Sequence, residues 1–154
     1  MAYSFDRQLA QGEQGETFLD GFFLPWFTIR RATREEQRQG IDRWFVDARK
    51  RRQSIEYKTD SAAGRTGNAF VETVSVDTTN KPGWAYSSQA ETLIYYIPDD
   101  GLIYVIRMAH LRLVLPAWVR KYPTRAVPNA GYRTHGLLVP LHEFEDLAVK
   151  VFSV

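Results

Sequence analysis

The sequence contains no cysteine, which excludes disulfide bonds and zinc sites built on thiolates. It also lacks any apolar run near the roughly 18 residues that a membrane-spanning helix needs. No basic segment followed by an apolar stretch opens the chain, so no signal peptide is expected. Only three histidines occur, and none has the spacing of metal ligands. We therefore expect a protein of the cytoplasm whose chemistry depends on oxygen and nitrogen groups.

Acidic and basic residues are unevenly distributed, although the formal net charge is only +2. Residues 1–29 carry four acids and one base, whereas residues 30–52 carry nine Lys/Arg and four acids. Such a basic segment attracts polyanions, and it is also compatible with an ordinary solvated surface. The length of 154 residues and the 44% apolar content predict one domain over residues 1–154.

Hydrophobic periodicity predicts a helix, then several strands, then further helices. This order is typical of an α/β protein, that is, an α+β arrangement with a central mixed sheet flanked by helices. The sequence "IPDDG" joins two apolar runs and indicates a hairpin. The predicted helices cover 4–23 and 109–122, with another near the C-terminus. The predicted strands cover 26–32, 40–48, 54–60, 69–77, 92–97 and 102–108, with a short one before the last helix.

Two carboxylates are predicted to meet on neighbouring strands. Asp42 opens one strand, and Glu56 and Lys58 share one face of the next because side chains alternate along a strand. A hairpin turn at 48–52 places these strands about 5 Å apart. Two carboxylates at that distance repel unless a cation lies between them, and Mg²⁺ (or Mn²⁺) suits oxygen ligands. The backbone carbonyl of Tyr57 is a candidate third ligand, and phosphodiester hydrolysis is the chemistry that such a site supports.

The pattern Ile41-Asp42, thirteen residues, then Glu56-Tyr57-Lys58 resembles the PD-(D/E)XK nuclease superfamily, which includes restriction-endonuclease-like and Holliday-junction-resolvase-like enzymes. The resemblance implies a core of a helix, three strands, a helix and further strands. It also implies an additional acid on the first helix, for which Glu16 is the best match and Glu13 the second. Two departures stand out: Ile41 replaces the proline, and residues 80–90 leave little room for the second core helix.

The resemblance implies a Mg²⁺-dependent endodeoxyribonuclease. Asp42 and Glu56 then bind the metal, Lys58 assists the nucleophile or the charged transition state, and Glu16 supports them. A single domain that cuts both strands of DNA usually acts as a homodimer or tetramer. Two alternatives remain open: an inactive nucleic-acid-binding module, and a subunit of a defence or recombination complex that needs a partner.

Other residues have competing explanations. Glu72 lies on the strand after Glu56 and is a candidate to reach the site from the next strand over, with a solvated position or a pair with an arginine as the alternatives. Gln89 is a candidate for contact with a metal-bound water or DNA, and also for capping a turn. Trp44 and Trp84 are expected in the core. The candidate DNA-contacting residues, which would neutralise phosphates, are Arg30, Arg31, Arg34, Arg38, Arg43, Arg49, Lys50, Arg51 and Arg52.

Overall fold

A computed structural model describes the backbone of residues 2–154 and the side chains from residue 6 onward. The helices are α1 (Ala2–Phe23), α2 (Arg34–Arg38), α3 (Ala63–Thr66), α4 (Trp84–Ser87), α5 (Met108–Lys121) and α6 (Leu141–Leu147). The strands are β1 (Thr28–Arg31), β2 (Arg43–Val46), β3 (Arg52–Thr59), β4 (Asn68–Val76), β5 (Lys81–Pro82), β6 (Thr92–Ile97), β7 (Leu102–Arg107), β8 (Thr124–Pro128), β9 (Arg133–Pro140) and β10 (Lys150–Ser153).

The strands form two sheets. The six-stranded sheet has the order β1-β2-β3-β6-β7-β10, and the four-stranded sheet has the order β5-β4-β9-β8. In the larger sheet β3 and β6 are parallel, whereas the other neighbours are antiparallel. The prediction of an α/β protein with a mixed sheet is therefore confirmed.

The larger sheet is buried on both faces, which explains the continuous apolar sequence of β6. Alternate residues of β6 enter different hydrophobic clusters: Leu93 and Tyr95 enter one, and Ile94 and Tyr96 the other. The first cluster also takes in the smaller sheet, α5 and α6. The second lies under α1. The protein is thus layered as α1, the larger sheet, and then the smaller sheet with α5 and α6.

The chain between the parallel strands β3 and β6 carries α3, the strands β4 and β5, and α4. A single helix usually makes such a crossover, and here most of it is sheet. The expectation that β4 lies beside β3 in one sheet is wrong, because β4 pairs with β5 and β9. The strands β8 and β10 and the helix α2 were also not expected from the sequence. Among the described residues, no helix is long and apolar enough to cross a membrane.

Helix α1 approaches β3 closely at one glycine. Leu19 and Phe23 lie on the buried face of the helix. A methyl group added at Gly15 would lie 2.9 Å from Thr59 Cβ and overlap the Thr59 hydroxyl. A methyl group at Gly12 would meet nothing within 4 Å. The close approach explains why a glycine occupies position 15 despite its poor helix propensity.

These two glycines give a matched test of the packing of α1. We expect Gly15→Ala to lower the free energy of unfolding by about 1–3 kcal/mol through overpacking. Gly12→Ala should instead raise it by about 0.5–1 kcal/mol, because alanine favours the helix and meets no neighbour. Urea denaturation of both variants measures this difference, and equal effects of the two substitutions would contradict the packing described.

Candidate active site

The antiparallel pairing of β2 with β3 brings Asp42 beside Glu56. The register pairs Arg43 with Ile55 and Trp44 with Ser54, and the backbone N–H of Asp42 donates to the carbonyl of Ile55 at 2.8 Å. Asp42 therefore continues the ladder by one step, just before β2 begins. Paired residues share a face of the sheet, so the side chains of Asp42 and Glu56 project from the same face.

The Asp42 carboxylate is held by the backbone of β3. The N–H of Tyr57 donates to Asp42 Oδ2 at 2.8 Å. The N–H and carbonyl of one strand residue point to the same edge, so the Tyr57 carbonyl is also directed to the edge on which Asp42 lies. One carboxylate and one backbone carbonyl are thereby placed on the same side of β3.

Glu56 is a buried acid with only part of its hydrogen-bonding capacity used. The residue is 4% exposed, and its Oε1 lies 3.0 Å from Lys58 Nζ. Its Oε2 is buried and has no hydrogen-bond partner among the described residues. A buried carboxylate oxygen without a partner is costly. It marks a position at which a cation or a donor group would be stabilised.

Burial dominates the protonation behaviour of both acids. Burial raises the pKa of Asp42, while the Tyr57 N–H and the Lys58 ammonium act in the opposite direction. Burial also raises the pKa of Glu56, which Lys58 and the nearby Ser88 hydroxyl lower and which the neighbouring Asp42 charge raises again. Burial alone would lower the pKa of Lys58, but the Glu56 and Asp42 carboxylates outweigh it and raise the pKa above 10.5. Additional positive charge would therefore further stabilise the ionised forms of Asp42 and Glu56.

The smaller sheet and α4 close the other side of Lys58. The Lys58 ammonium lies 6.0 Å from the centroid of the Trp84 ring, and the side chain remains 35% exposed. Glu72 lies on β4 and reaches this region from the smaller sheet. The sequence had predicted instead that it would come from the next strand of the same sheet. Burial raises the pKa of Glu72, and the Lys58 charge opposes that effect. Gln89 is exposed, and its backbone N–H donates to the carbonyl of Gln39.

Arg43 anchors the site from the opposite face of the sheet. Its guanidinium is buried and contacts Asp20 at 3.0 Å, with Glu16 at 3.8 Å. It also donates to the backbone carbonyl of Asp42 at 2.9 Å, and the Tyr57 hydroxyl donates to Asp20 at 2.9 Å. The prediction that Arg43 contacts DNA is therefore wrong, because 3% exposure leaves no surface for a phosphate.

Glu16 is brought near Asp42, but from the α1 side of the sheet. Burial raises the pKa of Glu16, Arg43 lowers it, and the Asp42 carboxylate raises it. The alternative candidate, Glu13, is exposed on α1. Glu16 therefore lies behind Asp42, on the opposite face of the sheet.

The remaining basic candidates are exposed on β1, on α2 and around the β2–β3 turn: Arg30, Arg31, Arg34, Arg38, Arg49, Lys50, Arg51 and Arg52. Helix α2 orders part of this surface. Thr33 and Glu36 form a capping box, in which the Thr33 N–H donates to Glu36 at 2.8 Å and the Glu36 N–H donates to Thr33 at 3.2 Å. The spacing Thr-x-x-Glu in "ATREE" is the sequence signal that identifies this helix.

A polar groove of about 1060 Å³ lies apart from the two carboxylates. It runs between the N-terminal half of α1 and the end of β3, and Arg7, Gln11, Thr59 and Arg65 help to line it. Asp42, Glu56 and Lys58 do not.

The donor set fits a hard divalent cation that keeps several waters. Asp42, Glu56 and the Tyr57 carbonyl offer oxygen atoms only, which Mg²⁺ prefers, and Glu56 Oε2 has no other partner among the described residues. In the part of the chain with described side chains, no group of three or more His, Cys, Asp or Glu is arranged to hold a metal. No protein-family model, curated protein or solved structure matches this chain.

Lys58→Met tests whether the ammonium compensates the buried Glu56 charge. The folded-state pKa of Glu56 is raised above 4.5, and loss of Lys58 should raise it further. A raised carboxyl pKa contributes stability that is present below the unfolded value and is lost as pH rises through the folded value. Relative to wild type, the variant should therefore lose stability progressively as pH rises above about 4.5. Urea denaturation across this range measures the loss.

The double variant Glu56→Gln/Lys58→Met supplies the matched control, because no ionisable group remains at either position. Its added pH dependence should be smaller than that of Lys58→Met, because only Asp42 and Glu72 still respond to the loss of the Lys58 charge. A stability difference between Lys58→Met and wild type that is the same at low and neutral pH would contradict the compensation of Glu56 by Lys58.

Proposed function

We propose that this protein is a metal-dependent DNA endonuclease that hydrolyses phosphodiester bonds with Mg²⁺ or Mn²⁺. One observation carries the proposal: Glu56, buried beside Asp42, directs one oxygen to the Lys58 ammonium at 3.0 Å and leaves the other without a partner among the described residues. Two acids and a lysine on one face are the groups that phosphodiester hydrolysis requires.

Asp42, Glu56 and the Tyr57 carbonyl would hold the cation. When bound, the cation polarises a phosphoryl oxygen and lowers the pKa of a water molecule. The Tyr57 N–H fixes the Asp42 carboxylate at 2.8 Å. The buried Arg43 and Asp20 hold the backbone of Asp42 from behind. These contacts pre-organise the two acids, so that little reorganisation accompanies the reaction.

Lys58 is the group placed to act on the substrate. Its ammonium lies beside Glu56 and is partly exposed, and the neighbouring carboxylates keep it protonated. A protonated lysine stabilises negative charge that builds on the phosphoryl oxygens, and it orients an attacking water by hydrogen bonding. Glu16 is proposed to support the site through its proximity to Arg43 and Asp42.

The arrangement of elements supports the resemblance to the PD-(D/E)XK superfamily. Helix α1 precedes three consecutive antiparallel strands; Asp42 immediately precedes the second of them, and Glu56 lies on the third. The next strand of the larger sheet, β6, runs parallel to β3. We propose a restriction-endonuclease-like core on this basis, with the smaller sheet occupying much of the connection in which the family carries its second core helix.

DNA is the proposed substrate because eight of the nine basic candidates are exposed, and several flank the acids on β1 and β3. Double-strand cleavage by such a domain calls for two active sites, so we propose a homodimer or tetramer. The roles of resolvase, homing and restriction enzyme are all compatible with this site. The cytoplasmic location remains a prediction.

A second candidate is a nucleic-acid-binding module without catalysis, or a subunit that requires a partner. The specific observation in its favour is that no third acidic or histidine side chain joins Asp42 and Glu56 in a metal-binding group among the described residues. Such a module would bind DNA through the same basic surface and would leave it intact.

Cleavage of supercoiled plasmid tests the proposal. With Mg²⁺ or Mn²⁺ the wild-type protein should produce open-circular and linear DNA, since an endonuclease needs no free end. Asp42→Asn, Glu56→Gln and Lys58→Met should each reduce the rate by about 100-fold or more. Glu145→Gln and Lys121→Met remove the same chemical groups from exposed positions elsewhere, and they should cleave like wild type.

Three results separate the alternatives. Cleavage that persists in all three site variants would contradict the proposed site. DNA binding without cleavage at any metal concentration would favour the inactive module. Inactivity of the isolated protein that is relieved by a co-purified partner would favour the partner-dependent subunit.

A further inference from the structure

One tryptophan beside the proposed site is flanked by two arginines. Trp44, expected in the core, is only half-buried. The guanidinium carbon of Arg52 lies 4.6 Å from the centroid of its ring, and that of Arg30 lies 5.7 Å away. Both distances are within the range of cation–π attraction. We call Arg30, Trp44 and Arg52 the arginine–tryptophan ladder.

The two arginines come from the two strands that flank the strand of Trp44. Trp44 lies on β2, and Arg30 and Arg52 lie on its neighbours β1 and β3. Arg30 pairs directly with Trp44, and Arg52 pairs with Val46, two residues further along β2. Paired residues and residues two apart share a face, so all members of the ladder project from one face of the sheet.

That face is the one that carries the proposed active site. Asp42 is two residues before Trp44. The register that pairs Arg43 with Ile55 places Asp42 opposite Glu56. Two residues along a strand correspond to about 6.6–6.8 Å. This spacing is comparable with that between successive phosphates of one nucleic-acid strand. Arg52, however, lies four residues before Glu56 on β3, about 13 Å along the strand. The ladder therefore lies one to two phosphate steps from the acids.

Glu36 holds the ladder in place. Its Oε2 accepts the indole N–H of Trp44 at 2.7 Å and lies 3.6 Å from Arg30. Its Oε1 accepts the backbone N–H of Thr33 at 2.8 Å. The Thr33 N–H and the indole N–H lower the pKa of Glu36, so the carboxylate stays ionised. Helix α2 thus fixes the rotation of the indole ring through a single side chain.

The arginines retain donors for a ligand. The Arg30 side chain is 53% exposed, and a guanidinium has five N–H groups, of which Glu36 faces only some. Among the residues with described side chains, Arg52 has no carboxylate within 4.0 Å. A guanidinium stacked on an aromatic ring is weakly hydrated and planar, which favours two-point contact with a phosphate.

We infer that the arginine–tryptophan ladder binds a backbone phosphate one or two steps from the phosphodiester that is cleaved. This inference rests on the proposed function and names how the substrate is held. Trp44 is a positioning residue that acts through Arg30 and Arg52. Since two guanidinium groups already lie against the Trp44 ring, we assign it to positioning these arginines and not to stacking a base. The contact is with phosphate, so it carries no sequence preference.

Binding of a fluorescein-labelled DNA duplex, measured by anisotropy with Ca²⁺ in place of Mg²⁺, tests the ladder independently of cleavage. Trp44→Leu should weaken binding by about 10-fold, equally for unrelated sequences, and should reduce the salt slope of log Kd by about 1–2. Arg30→Gln/Arg52→Gln should do the same and does not disturb the core. In plasmid cleavage, Trp44→Leu should raise KM more than it lowers kcat.

Two matched controls accompany these variants. Trp26→Leu changes an exposed tryptophan of the aromatic cluster around Phe152, and Arg107→Gln/Arg120→Gln removes two positive charges elsewhere. Both should bind DNA like wild type. Wild-type affinity and salt slope in Trp44→Leu and in Arg30→Gln/Arg52→Gln would overturn the ladder while leaving the nuclease proposal intact. A wild-type protein that never cleaves, combined with weakened binding in these variants, would support the ladder and overturn the nuclease.

Discussion

Burial of the Glu56 carboxylate next to a second acid is the constraint on which the site depends. Two carboxylates on adjacent strands repel one another, and the low-polarity surroundings make the repulsion stronger than it would be in water. One ammonium group, from Lys58, offsets part of this charge. The remaining oxygen of Glu56 has no partner among the described residues, so the folded protein holds negative charge that another cation would stabilise.

The rest of the fold supplies the rigidity that this arrangement needs. On the α1 face of the sheet, Arg43 forms an ion pair with Asp20 and donates a hydrogen bond to the backbone carbonyl of Asp42. Breaking a buried ion pair of this kind typically costs about 3–5 kcal/mol, because one charge is left uncompensated. The α1 side therefore positions Asp42 from the opposite face of the sheet. A residue expected to contact DNA has a structural role in this site.

The smaller sheet gives the site a second wall. It interrupts the connection between the parallel strands β3 and β6, and β4 carries Glu72 into the region of Lys58. Gly83 fits against the backbone of Glu72 so closely that a Cβ there would overlap it. Together with Trp84, this contact sets how closely the connection approaches the Lys58 ammonium. A substrate would reach the acids from the side that the smaller sheet leaves open, where β1 and α2 present arginines.

The sequence predicted the elements whose pattern is local. The β2–β3 hairpin, the β6–β7 hairpin and the helix containing Pro116 all follow from alternation or helical periodicity, and they were confirmed. The pairing of β4 was mispredicted because strand alternation does not reveal which sheet a strand joins. Arg43 was misassigned because its neighbours in sequence are exposed, and only the tertiary contact with Asp20 shows that it is buried.

Trp44 was misassigned for the opposite reason. Apolar character alone predicts burial, and the two flanking arginines come from strands distant in sequence. Helix α2 was missed because five residues are too few to show periodicity. The capping-box spacing of Thr33 and Glu36 was nevertheless present in the sequence as a signal for this helix. Local patterns thus placed Asp42 and Glu56 on neighbouring segments, whereas the contacts of Arg43 and Trp44 required the three-dimensional structure.

Location of Mn²⁺ in crystals tests the central claim most directly. Crystals of the wild-type protein soaked in MnCl₂ should show an anomalous difference peak between the carboxylates of Asp42 and Glu56, and crystals of Glu56→Gln should lack it. Full occupancy of Mn²⁺ at other sites with no peak between these two residues would contradict the account.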